Sequence, residues 1–437
     1  MANTPQDSSG DREPVSRVWN NFGQLVTGRL VSAVLTLVAT AVMARSLGPA
    51  EFGVVVIMHT YVLTMRALFN LKPAETFVRF AVPLIDKNDL AGINQLLGLV
   101  RSFEWVTMLV ATMLAVMLVP LVGPWLGLPD SAVVVLMAYS LVLLASPVGT
   151  ARGFCRATER FDVLRGALAI GPAVRLCGVL LAWYLDATWE YFAAAWGVSL
   201  LVSYLYLWVR GARLIRESGY KPVHIPWRLA NQKYPGLPGF VGVVYAQGIL
   251  DQLPRHLITL LIGGLLGAAS AGLYRIAREI ADVLAKPVQL IRQAAFTEIT
   301  RIGSRDNTAL SGVFVRYGLR MFGPAVVLVG LASWFRDDLL ALIGGPEYVG
   351  AGVLLVLLLV AAAVDLVAAI LRPISYALGK AMVALRVQVM AMLTYLGTFI
   401  AFSSSYGLVS VGLAAIAAAT VTLVLLGSLV WRWSSAR

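Results

Sequence analysis

Long apolar segments recur along the whole chain and constrain its fold more than any other feature. A bilayer core of roughly 30 Å requires about 20 helical residues. Only 13% of the residues are charged and 59% are hydrophobic, whereas about a quarter of a soluble domain is charged. The sequence therefore predicts an all-α polytopic membrane protein with about twelve spans, at 22–44, 53–71, 105–126, 133–151, 163–185, 191–209, 237–261, 271–296, 321–343, 353–371, 382–402 and 409–431.

Basic residues are distributed unevenly between the two sides of these predicted spans. If the N-terminus is cytoplasmic, the outer loops hold only Arg45 and Arg336, and the other basic residues outside the spans fall on the inner side. Cytoplasmic loops of membrane proteins carry such an excess of Lys and Arg. The pattern predicts cytoplasmic N- and C-termini. It also explains most of the net charge of +12 without a nucleic-acid partner.

A polar connection that contains Pro222, Pro226 and Pro235 lies near the midpoint of the chain. Clustered prolines between apolar segments indicate a loop or linker. We therefore predict a cytoplasmic N-terminal tail at 1–21, an N-lobe of six spans at 22–209, a cytoplasmic linker at 210–236 and a C-lobe of six spans at 237–437.

The two predicted lobes share a short motif at the end of their first spans. Both contain Leu-Gly followed, after four residues, by Gly, which matches Leu47 with Leu266, Gly48 with Gly267 and Gly53 with Gly272. Internal repeats of this kind are common in transporters. The motif predicts two pseudo-symmetric lobes around a central cavity, related by an axis along the membrane normal.

Ionisable residues remain inside the predicted spans. A charge at the bilayer centre costs at least about 2.5–3.5 kcal/mol on insertion scales, so these side chains are expected to face a polar interior. Basic residues are in excess, and the arginine fork suits phosphate oxygens, so the cavity is predicted to bind an anion, with phosphate the best fit. The basic residues are Arg29, Arg66, Arg175, Arg255, Arg275, Arg278 and Lys286, and the acidic ones are Asp251, Glu279, Asp282 and Asp365.

The eighth predicted span, 271–296, carries most of this charge on one helical face, and it has two interpretations. Its oppositely charged residues are spaced i,i+4 and can neutralise one another, or its arginines can face the cavity. We favour Arg275 and Arg278 for the anion, and Glu279, Asp282 and Lys286 for local pairing. The predicted anion-binding residues are therefore Arg29, Arg66, Arg175, Arg275 and Arg278, and the candidates for coupling to H⁺ or Na⁺ are Asp251, Asp282 and Asp365.

Three stretches of the chain carry a family resemblance: GQLVTGRLVSAVLTLVATAVMARSLGPAEFGVVV at 23–56, ARGFCRATERFDVL at 151–164 and DQLPRHLITLLIGGLLGAASAGLYRIAREIADVLAKP at 251–287. They resemble polysaccharide (O-antigen) flippases of the multidrug/oligosaccharidyl-lipid/polysaccharide exporter superfamily. The resemblance implies two six-helix lobes that form a V and work by alternating access. It implies an undecaprenyl-diphosphate-linked oligosaccharide as substrate, moved from the inner to the outer leaflet of the bacterial cytoplasmic membrane for cell-surface polysaccharide such as lipopolysaccharide.

The resemblance also implies roles for particular residues. The positions that match the cationic cavity residues of relatives are Arg29 and either Arg275 or Arg278, with Arg66 a weaker match. We therefore expect a transporter and no enzyme, with no cofactor apart from a coupling ion, H⁺ or Na⁺. The expected partners are the lipid-linked oligosaccharide, the bilayer and other polysaccharide-assembly proteins.

Three alternatives stay open at this point. A cation-coupled drug antiporter of the same superfamily should have an acidic and aromatic cavity, which the basic excess disfavours. A lipid II flippase usually has extra spans. A membrane glycosyltransferase or ligase would need a sizeable outer loop, and the predicted outer loops are short.

Overall fold

The computed structural model describes residues 12–284, 323, 325–368, 371, 374–375 and 380–435. These residues are mostly helical and include no strand. Nine helical stretches in the described ranges are long and apolar enough to cross a membrane. The prediction of an all-α polytopic membrane protein is confirmed, and the count of twelve spans stays a prediction.

Fifteen α-helices occur in the described residues. The first nine are α1 (Arg12–Phe69), α2 (Pro73–Asp86), α3 (Leu90–Trp125), α4 (Asp130–Ser140), α5 (Gly149–Ala157), α6 (Phe161–Tyr184), α7 (Trp189–Glu217), α8 (Ala230–Lys233) and α9 (Leu237–Leu266). The others are α10 (268–284), α11 (Ala325–Trp334), α12 (Arg336–Ile343), α13 (Gly352–Ala368), α14 (Ala381–Tyr406) and α15 (Val409–Ser435).

Two glycines end the first and the seventh predicted spans in a similar way. α1 is kinked at Gly48, where φ is 66° and ψ is 175°, and Pro49 begins its second part. α9 ends just before Gly267, where φ is 85°. Glycine adopts positive φ without the steric cost that a Cβ imposes. The motif matched in the sequence is thus the same backbone feature at both places, and α1 comprises the first two predicted spans.

Two predicted spans are interrupted. The fourth, predicted at 133–151, runs through α4 and a 3₁₀ turn (Leu141–Ala145), leaves the helix at 146–148 and resumes as α5. Pro147 lies in this break and has no N–H to donate within a helix. The ninth, predicted at 321–343, turns at Phe335 between α11 and α12. Hydropathy indicates where a chain is apolar, but it does not show where a helix ends inside an apolar segment.

Contacts divide the described residues into two compact units. The first takes in residues of Met1–Met43, Tyr61–Gly123 and Pro129–Leu253, and the second those of Ala44–Thr60, Pro124–Leu128 and Pro254–Arg437. The first unit has a core that includes Phe77, Leu97, Phe154, Tyr204 and Ile225. The second has a core that includes Ala325, Leu366, Val387 and Leu426. These units follow contacts and do not test the predicted lobe boundaries, which stay a prediction.

The predicted linker packs onto α3 within the first unit. Helix α7 continues to Glu217, and residues 218–236, here called the strap, then run along α3. The N–H of Val223 donates to the Asn94 carbonyl (2.9 Å), and that of Lys221 donates to Asn94 Oδ1 (2.8 Å). The Tyr234 hydroxyl donates to the Gly92 carbonyl (2.7 Å). Burial raises the pKa of Tyr234 to about 12, so this hydroxyl keeps its proton and the strap stays anchored at both ends.

Candidate functional site

The first unit contains a cavity of about 490 Å³. Its wall is formed by the end of α1, the start of α2, the middle of α3, α5, the strap and the first half of α9. Pockets that bind small molecules have volumes of roughly 300–1,000 Å³, so this cavity is large enough for a phosphate group together with a sugar ring.

Basic side chains outnumber acidic ones on the cavity wall. The basic residues are Arg66, Lys72, Arg152 and Arg156, and the acidic residues are Glu75 and Glu104. Arg156 pairs with Glu75 at 3.4 Å. No ion pair within 4.0 Å joins Arg66, Lys72 or Arg152 to any residue that the structure describes. These three cations have no direct ion pair among the described residues, and the nearby Glu104 carboxylate interacts electrostatically with Arg66 and Arg152.

Arg66 is held by an aromatic ring. Its guanidinium carbon lies 5.2 Å from the ring centre of Tyr204, in the range of a cation–π interaction. Its Nε is buried and has no hydrogen-bond partner among the described residues. A buried donor without a partner costs about 1–3 kcal/mol. Arg152 is within electrostatic range of Arg66, so two like charges lie together at this wall.

Lys72 reaches the cavity from the turn between α1 and α2. Its backbone is left-handed, with φ 54° and ψ 50°, and its N–H donates to Asn70 Oδ1 at 3.1 Å. Its side chain lies against Gly248 of α9, where an added Cβ would overlap Lys72 Cε and lie 2.6 Å from Nζ. Because glycine has no side chain, position 248 leaves room for the side chain of Lys72.

Glu104 caps the short helix that carries Arg152 and Arg156. This carboxylate on α3 is buried. It accepts hydrogen bonds from the N–H of Gly149, from the N–H of Thr150 (2.9 Å) and from the Thr150 hydroxyl (2.8 Å). The first N–H groups of a helix have no partner within it, and a carboxylate there complements the helix dipole. Glu104 therefore holds the start of α5 at the break in the fourth predicted span, and both of its carboxylate oxygens accept hydrogen bonds.

The predicted anion-binding residues do not all lie in this cavity. Arg66 lines it. Arg175 lies over the Trp196 ring, 4.9 Å from its centre, with Nε 3.4 Å from the Ser199 hydroxyl. Arg29 is on α1, but its side chain lies outside the described residues.

The charged face of the eighth predicted span is internally paired as far as the structure describes it. Arg275 pairs with Glu279 at 2.8 Å and Arg278 with Asp282 at 3.1 Å, both at i,i+4. Glu279 and Asp282, which we expected to form local ion pairs, are therefore paired with the two arginines that we favoured for binding the anion. Lys286 lies outside the described residues. The anion-binding role of Arg275 and Arg278 stays a prediction, and both belong to the second unit.

The three candidates for ion coupling are far apart in the sequence and do not share the same surroundings. Asp251 on α9 and Asp365 on α13 are exposed, and Asp282 is paired with Arg278. Within the described ranges, no group of His, Cys, Asp and Glu side chains is arranged to hold a metal ion. The coupling role of the three aspartates stays a prediction.

Sequence reasoning misses Lys72, Arg152 and Glu104 as cavity residues. The two basic residues flank apolar segments and so count as topology signals. Glu104 comes just before the predicted third span, but α3 already begins at Leu90. One signal was present: Arg152 and Arg156, one helical turn apart, lie in the stretch 151–164 that resembles flippases.

Comparison with known proteins agrees with this architecture. The profile of a family described as "Polysaccharide biosynthesis protein" matches residues 42–316. Inner membrane protein YghQ of Escherichia coli (strain K12) is 28% identical over 339 residues, which cover 76% of this chain and 93% of YghQ.

Two solved structures share the fold. A multidrug resistance transporter of the MATE family, in an inward-facing conformation, superimposes with a TM-score of 0.72 at 14% identity, covering 92% of this chain and 95% of that one. The lipid II flippase MurJ, in an inward closed conformation, superimposes with a TM-score of 0.72 at 12% identity, covering 94% and 87%.

These findings confirm the resemblance to the polysaccharide flippase family. The family profile covers more than half of the chain. The chain has the fold of the MATE transporter and of MurJ, and it is a multi-pass membrane protein similar to a protein of the inner membrane. The chain belongs to the polysaccharide biosynthesis protein family.

Proposed function

We propose that this protein is a flippase that moves a polyprenyl-diphosphate-linked oligosaccharide from the inner to the outer leaflet of the bacterial cytoplasmic membrane. Family membership supports a role in polysaccharide biosynthesis, and the fold shared with transporters supports translocation without a catalytic step. One observation carries the proposal. Arg66, Lys72 and Arg152 converge on one cavity without ion-pair partners in the part of the chain that the structure describes.

A diphosphate matches these three cations in charge and in hydrogen-bonding chemistry. The guanidinium groups of Arg66 and Arg152 offer paired N–H donors that suit phosphate oxygens, and Lys72 adds a compact charge. The polyprenyl tail would stay in the bilayer while the headgroup crosses. In this proposal both termini are cytoplasmic. Moving a dianion from the inner to the outer side across an inside-negative potential of 100 mV gains roughly 4.6 kcal/mol of free energy, about 2.3 kcal/mol per charge.

We extend the proposal to the other predicted residues. Arg29, Arg175, Arg275 and Arg278 would contact the diphosphate at other stages of alternating access. For Arg275 and Arg278 this requires leaving Glu279 and Asp282, their partners in this structure. H⁺ or Na⁺ coupling through Asp251, Asp282 or Asp365, and contact with other polysaccharide-assembly proteins, belong to the same proposal.

Leaflet transfer of a fluorescent polyprenyl-diphosphate oligosaccharide in proteoliposomes tests this function. Loss of a hydrogen bond to a charged group costs about 1.5–3 kcal/mol, so Arg66→Ala and Arg152→Ala should each reduce transfer at least about tenfold. Arg101→Ala is the matched control, because Arg101 also lies over an aromatic ring, 5.2 Å from the centre of Trp208, but does not line the cavity. It should transfer at close to the wild-type rate.

Two results would contradict the proposal. The first is that the wild-type protein does not transfer the lipid. The second is that the double variant Arg66→Ala/Arg152→Ala transfers it undiminished. Transport of a cationic dye by the wild-type protein in the same vesicles, with no lipid transfer, would favour the drug antiporter instead.

A further inference from the structure

One wall of the cavity is aromatic and differs in chemistry from the cationic wall. Phe103 of α3 and Trp227 of the strap both line it. Their rings are stacked, with centres 3.6 Å apart and 16° between the ring planes. Stacking covers one face of the Trp227 indole, and the side chain is still 42% exposed. A flat apolar surface can therefore pack against the accessible part of this wall.

Polar side chains with unused hydrogen-bonding capacity line the same cavity. Asn70 uses Oδ1 to accept the Lys72 N–H, and its amide nitrogen donates to no group among the residues that the structure describes. Gln252 is exposed at the α9 side. Side-chain amides both donate and accept hydrogen bonds, which suits a ligand that carries several hydroxyl groups.

A sugar ring combines these two requirements. Its hydroxyl groups project from the rim, and its C–H groups form apolar faces that pack on aromatic rings. We infer that Trp227, backed by Phe103, binds the sugar next to the diphosphate, with Asn70 and Gln252 hydrogen-bonded to that sugar. This inference rests on the proposed flippase function and adds glycan recognition to the same cavity.

The strap determines where Trp227 lies. Trp227 begins a 3₁₀ turn (Trp227–Leu229) directly after Pro226, which restricts the backbone at that point. The strap is hydrogen-bonded to Asn94 before this turn and to Gly92 after it. The segment that joins the two predicted lobes therefore presents a cavity residue, and we expect glycan selectivity to depend on the strap.

Packing alone is the competing explanation for Trp227, and it predicts a different outcome. If the indole only fills space against Phe103, its loss should weaken the binding of every lipid ligand equally. If it binds sugar, its loss should weaken only the ligand that carries one. Two probes separate these cases: undecaprenyl diphosphate, and lipid-linked oligosaccharide extracted from the bacterium that encodes the protein.

The experiment measures the affinity of both lipids for purified protein in nanodiscs. Wild-type protein should bind the glycan-bearing lipid more tightly. Trp227→Ala should weaken that binding about three- to tenfold, the range of an aromatic contact, and leave undecaprenyl diphosphate binding unchanged. Trp227→Phe should retain most of the preference. Trp183→Ala, at an exposed position on α6 outside the cavity, should change neither affinity, and Arg66→Ala should weaken both.

Each contrary outcome has a separate meaning. Equal weakening of both lipids by Trp227→Ala, or no weakening of either, overturns the sugar inference. Wild-type protein that binds the two lipids equally well also overturns it, while the diphosphate site stands. Wild-type protein that binds neither lipid overturns the proposed function and this inference together.

Discussion

Gly53 of α1 and Gly272 of α10 meet backbone to backbone in the second unit. A Cβ added to either glycine would lie 3.2 Å from the backbone nitrogen of the other. It would also collide with the Ala268 carbonyl in the case of Gly53 and with the Pro49 carbonyl in the case of Gly272. Pro49 and Ala268 are themselves matching positions of the internal repeat, so the contact is reciprocal, as pseudo-two-fold symmetry requires.

Substitution of either glycine should destabilise the protein. Gly53→Ala and Gly272→Ala each place a methyl group against a backbone carbonyl that cannot rotate away, so we expect a loss of at least about 1–3 kcal/mol in the free energy of unfolding. Thermal unfolding in detergent measures it. Gly397→Ala in α14, where an added Cβ meets nothing within 4 Å, should be neutral or slightly stabilising. Wild-type unfolding temperatures for both variants would show that the two helices do not approach in this way.

Removal of the Glu104 carboxylate should also destabilise the fold. Glu104→Ala leaves the N–H groups of Gly149 and Thr150 without their acceptor, and we expect a cost of about 3 kcal/mol. Glu104→Gln keeps one acceptor oxygen and should cost less. Denaturant unfolding followed by Trp fluorescence checks the order of the two, with Glu217→Ala at the exposed end of α7 as control. Equal stability of Glu104→Ala and Glu217→Ala would contradict the capping role.

The position of Lys72 can be tested without changing any polar group. Gly248→Ala should displace the Lys72 ammonium, because the new methyl group occupies the space of Lys72 Cε. We expect a several-fold loss of undecaprenyl diphosphate affinity, similar to that of Lys72→Ala. In a Lys72→Ala background, Gly248→Ala should reduce the affinity little further, because both substitutions act by removing the Lys72 ammonium from its position. Fully additive losses would mean that Gly248 acts through something other than Lys72.

Docking of the strap depends on Gly98. A Cβ at position 98 would overlap the Val223 carbonyl, so Gly98→Ala should release the strap from α3. Limited trypsin digestion should then cleave after Arg228 several-fold faster than in the wild-type protein. Gly239→Ala, which has open space around its Cβ position, should be cleaved at the wild-type rate. Unchanged cleavage in Gly98→Ala would indicate that the strap does not pack here.

Sequence patterns predict the membrane fold well because the bilayer imposes simple requirements. Backbone groups in lipid must be satisfied within a helix, so apolar length alone indicates the helices. The Leu-Gly motif also reports a real backbone feature, since Gly48 and Gly267 both have positive φ. Helix ends inside apolar segments are less predictable. Contacts distant in sequence decide them, such as that between Glu104 and Thr150, which lie 46 residues apart.

The sequence by itself determined that the chain is an all-α membrane protein with an internal repeat and an excess of basic residues within its predicted spans. Only the tertiary structure decided which of those basic residues are paired. Arg275 and Arg278 have acidic partners one turn away, whereas Arg66 lines a cavity with Lys72, Arg152 and Trp227. The reason is physical: hydropathy and helical periodicity depend on neighbours along the chain, but the charge balance and shape of a cavity depend on side chains that folding brings together from distant segments.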